Sequence, residues 1–555
     1  MKKMKYTKIC VLLGAMALGS TSCSDMMDIN SDRVAFEEDN RLNNANDSIY
    51  SVMGILAQVQ KVADRCILMG ELRGDLMTTD PTFATTDLKQ IENFEVTQDN
   101  PYADKRDFYT IINNCNYAIE RMDTSITEGI EQVMLPEYAQ IKTLRAWTYL
   151  QMALIFGEVN YFTQPLLNIN ATEQGDMQKM NLDQLTTTLI SDIEPYSHVR
   201  PLNYGSVDGW NSSEFFIPTL MLLGDLYLYN NNYEKAAQAY YELIDGKDLT
   251  IGTGNANYYA SDTRSSANLN NNTAYRNEVL SRLVFDSDLR SYHSQLRKLT
   301  YSEKPALLPA NHFMAEMSKR DYFHTSNGQA ISRYFIGDLR GCVELNSGKI
   351  LPAAYGTVTV GEAMPRTLIT KFYNNLSGSE TDELSNRPLT SLALYRPSML
   401  YLRYAEAINR MGKPSIAFAT LKYGLKDKSL SDTLKVDSNE VKNLPAYINF
   451  KSSKYDGNQG IAARGCGLGI QFDTKLYTIP ESATLSDSIE YVENCILQEM
   501  AAETCFEGNR FFDLLRISHH RSNHPQLMVE QIAYKPTIGE ALRQKLKDIN
   551  NWWIK

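Results

Sequence analysis

The sequence lacks any long run of basic residues, and after its first segment it lacks long apolar runs. Its 66 acidic side chains outnumber the 55 basic ones, which gives a formal charge of −11 over 555 residues. This balance argues against a nucleic-acid partner, because such proteins need a basic surface. After Gly19 no apolar stretch reaches about 18 residues, the minimum for a membrane-spanning helix. The mature chain is therefore expected to be soluble apart from any anchor.

The motifs of common catalytic and metal sites are also missing. The eight cysteines include no Cys-x-x-Cys pair, so no zinc site is predicted. Gly-x-Ser-x-Gly, His-Glu-x-x-His and the EF-hand calcium loop do not occur. The glycine-rich stretch 465–469 lacks the lysine of a phosphate-binding loop. His519 and His520 would point about 100° apart on a helix. We expect no metal and no cofactor.

The first 22 residues have the features of a signal peptide. Lysines at positions 2, 3, 5 and 8 precede an apolar run from Ile9 to Gly19, too short to span a membrane as a mature helix. Cys23 follows, as in a bacterial lipoprotein, whose cysteine takes a diacylglyceryl group and an N-acyl chain. We predict lipidation of Cys23 and a tether over residues 23–42, because several acyl chains anchor firmly. Ser20 stands where such motifs usually have an aliphatic residue, and plain secretory cleavage is the alternative.

A helical hairpin recurs along the chain. In the stretch 213–246, small residues at 224 and 236 and tyrosines at 227 and 240 have the spacing of a tetratricopeptide-type pair. The small residues would let two helices approach, and the tyrosines would fill the groove between them. A second copy occupies 400–425 and a looser one 138–162. Since one hairpin cannot bury its apolar face alone, we predict a mostly α fold, a superhelical scaffold with long ligand-binding loops.

Two connecting segments are candidates for ligand binding, the polar stretch 78–106 and the Asn-, Ser- and Tyr-rich stretch 251–277. Asparagine amides match sugar hydroxyls, and aromatic faces stack on the C–H side of a sugar ring. One ring supplies about 1.5–2 kcal/mol of the roughly 8 kcal/mol that micromolar binding needs, so several rings are required. A disordered surface insertion is the alternative for 251–277. The predicted ring residues are Phe83, Tyr102, Trp210, Tyr258, Tyr259, Tyr275 and Tyr292.

Several segments, in this order, resemble the SusD/RagB family. They are CSDMMD at 23–28, FYTIINNCNYAIERM at 108–122, LRAWTYLQMALIFGEVNYFTQPL at 144–166, RPSMLYLRYAEAINRMGK at 396–413 and ILQEMAAETCFEGNRFFDLLR at 496–516. The resemblance implies a helix-rich outer-membrane lipoprotein, exposed at the cell surface, that is not an enzyme. Such a protein captures an oligosaccharide and delivers it to a SusC-like TonB-dependent transporter.

The resemblance also implies one SusD-like domain over 43–555, with an N-terminal part over about 43–245 and a C-terminal SusD/RagB part over about 280–555. The tail ending NNWWIK departs from the proline-rich ending of the family. Three alternatives stay open. They are a RagB-like peptide receptor with the same architecture, a lipid-anchored glycoside hydrolase with two carboxylates in a cleft, and a hairpin-repeat adaptor that binds no small ligand.

The segment 496–516 has a structural interpretation of its own. Glu503 and Glu507 lie near Arg510 and Arg516 in the sequence, so we predict a helix–turn–helix with buried ion pairs around Gly508. A catalytic carboxylate pair is the less favoured interpretation. Arginines this close would hold both carboxylates ionised, whereas a general acid needs a raised pKa.

Overall fold

The structure is a computed structural model, and it does not describe every part of the chain. The predicted signal peptide, Cys23 and most of the tether lie outside the described residues. The described residues are 42, 45–167, 177–252, 278–285, 292–320, 322–326, 329–332, 335–338, 340–345, 350–352, 354–372, 389, 391–465, 472–474, 477–481, 484–521, 524–535 and 539–555.

Helices dominate the described residues, which confirms the predicted mostly α class. The helices of the N-terminal part are α1 (Ala45–Glu71), α2 (Thr86–Glu92), α3 (Arg106–Arg121), α4 (Leu135–Phe156), α5 (Leu182–Ile193), α6 (Thr219–Tyr229) and α7 (Tyr233–Gly246). Those of the C-terminal part are α8 (Leu296–Thr300), α9 (Asn311–Lys319), α10 (Pro397–Arg410), α11 (Pro414–Lys422), α12 (Asp427–Leu430), α13 (Leu485–Glu503), α14 (Arg510–His520), α15 (His524–Ile532) and α16 (Glu540–Leu546).

The strands are short and pair antiparallel in small sheets. The first nine are β1 (Met77–Thr79), β2 (Thr127–Glu128), β3 (Glu131–Gln132), β4 (Val159–Tyr161), β5 (Gln178–Met180), β6 (Ser206–Val207), β7 (Trp210–Asn211), β8 (Ser281–Val284) and β9 (Leu307–Pro309). The others are β10 (Tyr322–Ser326), β11 (Gln329–Ser332), β12 (Phe335–Ile336), β13 (Cys342–Leu345), β14 (Ile350–Pro352), β15 (Tyr355–Val358), β16 (Arg366–Ile369), β17 (Ser391–Tyr395) and β18 (Phe472–Thr474). Their orders are β1–β9, β2–β3, β4–β5, β6–β7, β8–β17, β15–β16, β11–β10–β18 and β12–β13–β14.

The predicted hairpins are present. Helices α6 and α7 pack together, and Asn232 caps the start of α7 by accepting from the N–H of Lys235. The ring of Tyr240 lies so close to Gly224 that a Cβ there would overlap it. Tyr227 is also buried, and its hydroxyl donates to Glu194, which follows α5 (2.6 Å). The second hairpin is α10–α11, whose helices also pack on each other, and the looser copy corresponds to α4 followed by β4.

The stretch 78–106 is more ordered than the predicted loop. It contains α2, whose N-terminus is capped by Thr85 through a hydrogen bond from the N–H of Leu88. Leu88 and Ile91 are buried, so this short helix is held by packing as well as by its cap. The sequence interpretation underestimated it because seven residues provide only two turns of hydrophobic spacing.

The helix–turn–helix around Gly508 is present as α13 and α14, and Gly508 takes a positive φ of 87° in the turn. The ion pairs are buried as predicted, but their partners differ. Glu503 does not pair with the arginines of α14. It contacts three arginines from distant segments instead. Arg510 pairs with Asp75 (2.5 Å), and Arg516 pairs with Glu406 (2.6 Å). The arginines around Glu503 are Arg340, Arg396 and Arg464.

The cysteines that the structure describes with their side chains are buried free thiols, as predicted. Burial raises the pKa of each thiol to about 12, so they stay protonated at neutral pH. They are Cys66, Cys115, Cys495 and Cys505. Within the described ranges, no helix combines the length and the hydrophobicity that crossing a membrane requires.

Candidate functional site

An open groove of about 450 Å³ lies where α9, α13 and the segment after α15 meet. Its lining combines apolar and aromatic side chains with charged and amide side chains. Such a combination of an apolar surface with a few polar groups is typical of small-molecule sites. The lining residues are Asp75, Leu76, His312, Phe313, Glu316, Met317, Lys319, Arg320, Gln498, Ala501, Arg510, Gln531 and Tyr534.

The pairing of β1 with β9 positions one end of this groove. Met77 lies opposite Pro309, and the N–H of Ala310 donates to the carbonyl of Leu76 (2.8 Å). Helix α9 begins directly after this sheet, and Phe313 and Met317 are buried on its inner face. His312, the second residue of α9, is thereby held at the groove.

Two aromatic rings stack at the groove. The rings of His312 and Tyr534 have centroids 3.9 Å apart and planes only 3° from parallel. Tyr534 is 52 % exposed, so one of its faces is covered by His312 and much of the remaining surface is open. A flat, exposed ring held from behind is the surface on which a sugar ring can stack at little entropic cost.

Polar groups surround the stacked pair. Glu316 and Lys319 form an exposed ion pair (2.9 Å), so both heads can be rearranged by a ligand. Gln531 accepts a hydrogen bond from Arg510 (3.2 Å). Arg320 donates to the carbonyl of Gln498 (2.9 Å), which fixes that side of the groove. Donors and acceptors suitable for hydroxyl groups therefore lie beside the rings.

Two of the predicted ring residues lie together around one buried carboxylate. Tyr292 hydrogen-bonds to Asp64, which also accepts from Ser294 (2.6 Å) and from the backbone of Gln295 (2.6 Å). Burial raises the pKa of Asp64, and these hydrogen bonds oppose the rise. Burial also raises the pKa of Tyr102, as does the charge of nearby Asp64. Both tyrosines are partly buried against the core, so only part of each ring is open to a ligand.

Phe83 lies elsewhere, at the end of β1 away from the groove. Its ring is 37 % exposed and has the guanidinium of Arg366 over it, 5.5 Å from the ring centre. Asp80 pairs with Arg366 and also accepts from the backbone of Phe83 (2.9 Å). The cation covers part of the ring that a sugar would need.

Trp210, in β7, is covered in a similar way. The guanidinium carbon of Arg282 is 4.9 Å from the ring centre, and Arg282 pairs with Glu214 (2.7 Å). Three further predicted residues lie outside the described residues, so the arc of seven rings stays a prediction. They are Tyr258, Tyr259 and Tyr275.

The alternative sites find little support in the geometry. Burial raises the pKa of Glu503, but Arg464, Arg396 and Arg340 outweigh it and hold the pKa at about 2. Glu503 is therefore not poised as a general acid. The rings of His519 and His520 lie 6.1 Å apart at 79°. Across the described residues, no group of three or more His, Cys, Asp or Glu side chains could hold a metal ion.

Comparisons with known proteins agree with this fold. Residues 348–555 match the model of the SusD family. The predicted resemblance to the SusD/RagB family is confirmed. Curated proteins give no significant match to the sequence.

The chain has the SusD-like fold of several solved structures, at low sequence identity. A SusD homolog from Bacteroides thetaiotaomicron aligns with a TM-score of 0.56 and 14 % identity over 94 % of this chain and 92 % of its own. A protein from Bacteroides vulgatus, titled a putative sugar binding protein, gives 0.54 and 17 % over 86 % and 88 %. A SusD-like carbohydrate binding protein from the same organism gives 0.53 and 16 % over 86 % and 84 %.

The sequence interpretation missed the stacked pair. His312 lies in a helix, and Tyr534 lies just after one, so neither belongs to a loop rich in aromatic and amide residues. They are 222 positions apart in the sequence, and only the docking of α15 near α9 brings them together. No signal in a single sequence reports such a contact.

Proposed function

We propose that this protein is a cell-surface glycan-binding lipoprotein without enzymatic activity. It captures an oligosaccharide in the groove beside Tyr534 and delivers it to a SusC-like TonB-dependent transporter. The observation that carries the proposal is the exposed ring of Tyr534 stacked on His312. The SusD-family match of residues 348–555 and the SusD-like fold support the same class.

The energetics set what else the groove must provide. One sugar stacked on Tyr534 contributes about 1.5–2 kcal/mol, against about 8 kcal/mol for micromolar binding. The remainder has to come from the polar edge, where Glu316, Lys319 and Gln531 offer hydrogen bonds to hydroxyls. We therefore expect an oligosaccharide rather than a single sugar to be the cargo.

The test is retardation of the mature, anchor-free protein in native gels cast with a panel of neutral polysaccharides. For a glycan that retards the wild type, Tyr534→Ala should lower the affinity read from the retardation about tenfold, because it removes the stacking surface. Tyr50→Ala is the matched control, since Tyr50 is a 75 % exposed tyrosine on α1 and does not line the groove. Unchanged retardation of Tyr534→Ala would contradict this site. Retention of a peptide mixture without any glycan binding would favour the RagB-like peptide receptor.

The anchor is tested separately. We propose that Cys23 carries the lipid and that the protein is exposed on the outer membrane, with the hairpin scaffold facing the transporter. Cys23→Ala should release the protein into the soluble periplasmic fraction, because the mature chain then carries no acyl chains to hold it at the membrane. Cys66→Ala, which changes a buried thiol, serves as the control. A Cys23→Ala protein that stays in the membrane fraction would refute the anchor.

A further inference from the structure

A second cavity, larger than the groove, lies beside the end of the chain. It has a volume of about 730 Å³ and is bounded by the start of α3, the β4–β5 hairpin, the start of α5 and residues 549–555. We call it the tail cleft. It shares no lining residue with the groove beside Tyr534. A cavity of this size can hold two or three sugar units.

An indole ring forms one side of the tail cleft. Trp553 packs on Gly157, where a Cβ would lie 2.8 Å from Cγ of the indole. Gly157 has a positive φ of 78° and ends α4, so glycine is required there for two reasons. The N–H of Ile554 donates to the carbonyl of Ile155 (3.1 Å) and fixes the tail. The indole Nε1 of Trp553 is buried and meets no hydrogen-bond partner within the described part of the chain.

Two lysines, Lys105 and Lys179, line the same cleft. Lys105 precedes α3 and its Nζ lies 4.6 Å from the ring centre of Phe156. Lys179, in β5, is the antiparallel partner of Asn160 in β4, so both side chains leave the same face. The backbone N–H of Asn160 donates to the hydroxyl of Tyr109 (3.1 Å). The two ammonium groups thus border a region that also offers an amide and a phenol.

The lysines repel each other. Burial lowers the pKa of Lys105, and the positive charge of Lys179 lowers it further. In the described ranges neither ammonium group pairs with a carboxylate. Asp183 lies beside His519 instead (4.0 Å), and Glu158 is exposed. An anion placed between the lysines would relieve this repulsion and recover part of the desolvation cost.

We propose that the tail cleft binds an anionic sugar, with a carboxylate or sulfate group between Lys105 and Lys179 and a sugar ring against Trp553. Asn160 and Asn181 also line the cleft, and their amides are suited to sugar hydroxyls, although Oδ1 of Asn181 already accepts from the N–H of Gln184. This site is distinct from the groove proposed for capture. It would let the protein bind a charged glycan, or bind a second segment of a long glycan whose first segment lies in the groove.

The first experiment is a titration of the full mature protein followed by tryptophan fluorescence. The probes are tetragalacturonate, its methyl ester, and a sulfated galactan tetramer. The acid should change the emission and the methyl ester should bind at least tenfold more weakly, which is about 1.4 kcal/mol. Trp553→Phe should abolish the spectral change. The sulfated probe distinguishes a general anion site from a carboxylate-specific one.

The second experiment removes the charges. Lys105→Gln with Lys179→Gln should lower the affinity for the acid about tenfold and flatten its dependence on salt. Lys428→Gln with Lys451→Gln makes the same change in net charge at exposed positions away from the cleft. Equal binding of the methyl ester, or an undiminished affinity in the Lys105/Lys179 variant, would overturn the proposal. Tyr534→Ala should leave this binding unchanged, so failure here is distinguishable from failure of the groove.

Discussion

Glu503 is a single residue on which several distant segments depend. It is buried at the end of α13, and each of the three arginines around it comes from a different stretch of the chain. A buried carboxylate alone would be protonated, but here the arginines hold its pKa at about 2. Its charge is therefore part of the folded structure.

The pH dependence of stability follows from the direction of this shift. The pKa is lower in the folded state than its ordinary value of 4.5. Stability from this group is therefore present above pH 4.5 and is lost as the pH falls toward 2, by on the order of 3 kcal/mol. We expect the urea midpoint of the wild type to drop across this window.

Glu503→Gln should lose stability at pH 7 by about 3–5 kcal/mol, because it leaves buried arginine charges without compensation. Below pH 4.5 the difference between variant and wild type should shrink. Glu490→Gln, at an exposed position on the same helix, should have little effect at either pH. Parallel pH profiles for wild type and Glu503→Gln would contradict this role.

At the scale of elements, the α6–α7 hairpin depends on the absence of a side chain at Gly224. The ring of Tyr240 occupies the space that a Cβ would need, and its hydroxyl donates to Asp225 (2.7 Å). The two helices therefore approach more closely than an alanine would allow.

Gly224→Ala should lower the free energy of unfolding by about 1–3 kcal/mol, because the overlap outweighs the gain in helix propensity. Gly54→Ala is the matched control. Gly54 lies in α1 with open space around it, so alanine should stabilise the protein by up to about 1 kcal/mol there. Urea denaturation gives both values, and the same sign for both variants would contradict the packing argument.

The hairpins were predictable because their spacing is local. Positions 224, 227, 236 and 240 lie within two consecutive helices, so periodicity and small residues suffice to find them. For the ion pairs, the sequence predicted that buried pairs exist near Gly508 but not which residues form them. Buried charge around Gly508 followed from the sequence, but the partners Asp75 and Glu406 come from segments far away in the chain. Pairing between distant segments leaves no local pattern.

At the scale of the whole molecule, the last residues of the chain pack against the segment that follows α1. Arg73, two residues after the end of α1, donates to the carbonyl of Trp552 (2.8 Å), and its guanidinium lies over the ring of Phe511, 4.0 Å from the ring centre. Trp552 is 1 % exposed and its Nε1 donates to Leu546 (2.8 Å). In the tail ending NNWWIK, Trp552 and Ile554 are buried, so the tail packs on the core rather than trailing from it.

Because of these contacts we expect the predicted unit 43–555 to unfold in one cooperative transition. Trp552→Ala should lower the free energy of unfolding by about 3–5 kcal/mol, and it should therefore lower the midpoint temperature of the single transition. Ile130→Ala, at a fully exposed hairpin tip, is the control. Calorimetry tests both points. Two separate unfolding transitions would refute the single domain, and so would a Trp552→Ala shift that affects only one of them.

The candidate site shows the limit of sequence interpretation at this scale. Composition selects loops, and it selected Tyr258, Tyr259 and Tyr275, which lie outside the described residues. The stacked rings of His312 and Tyr534 belong to helical surroundings instead, and they meet only because the C-terminal helices fold back on the middle of the chain. Whether an aromatic ring can stack on a sugar depends on the residues packed around it, and these residues lie far away in the sequence.

The charge cluster around Glu503 has a consequence for how the sequence can change. Five acidic and five basic side chains neutralise one another there. They are Glu278, Asp338, Glu499, Glu503 and Glu507 with Arg320, Arg340, Lys371, Arg396 and Arg464. A substitution that removes one charge leaves an imbalance in the core, and a second of opposite sign restores neutrality. Mutational tolerance at these positions should therefore be strongly epistatic, with pairs accepted where neither single change is.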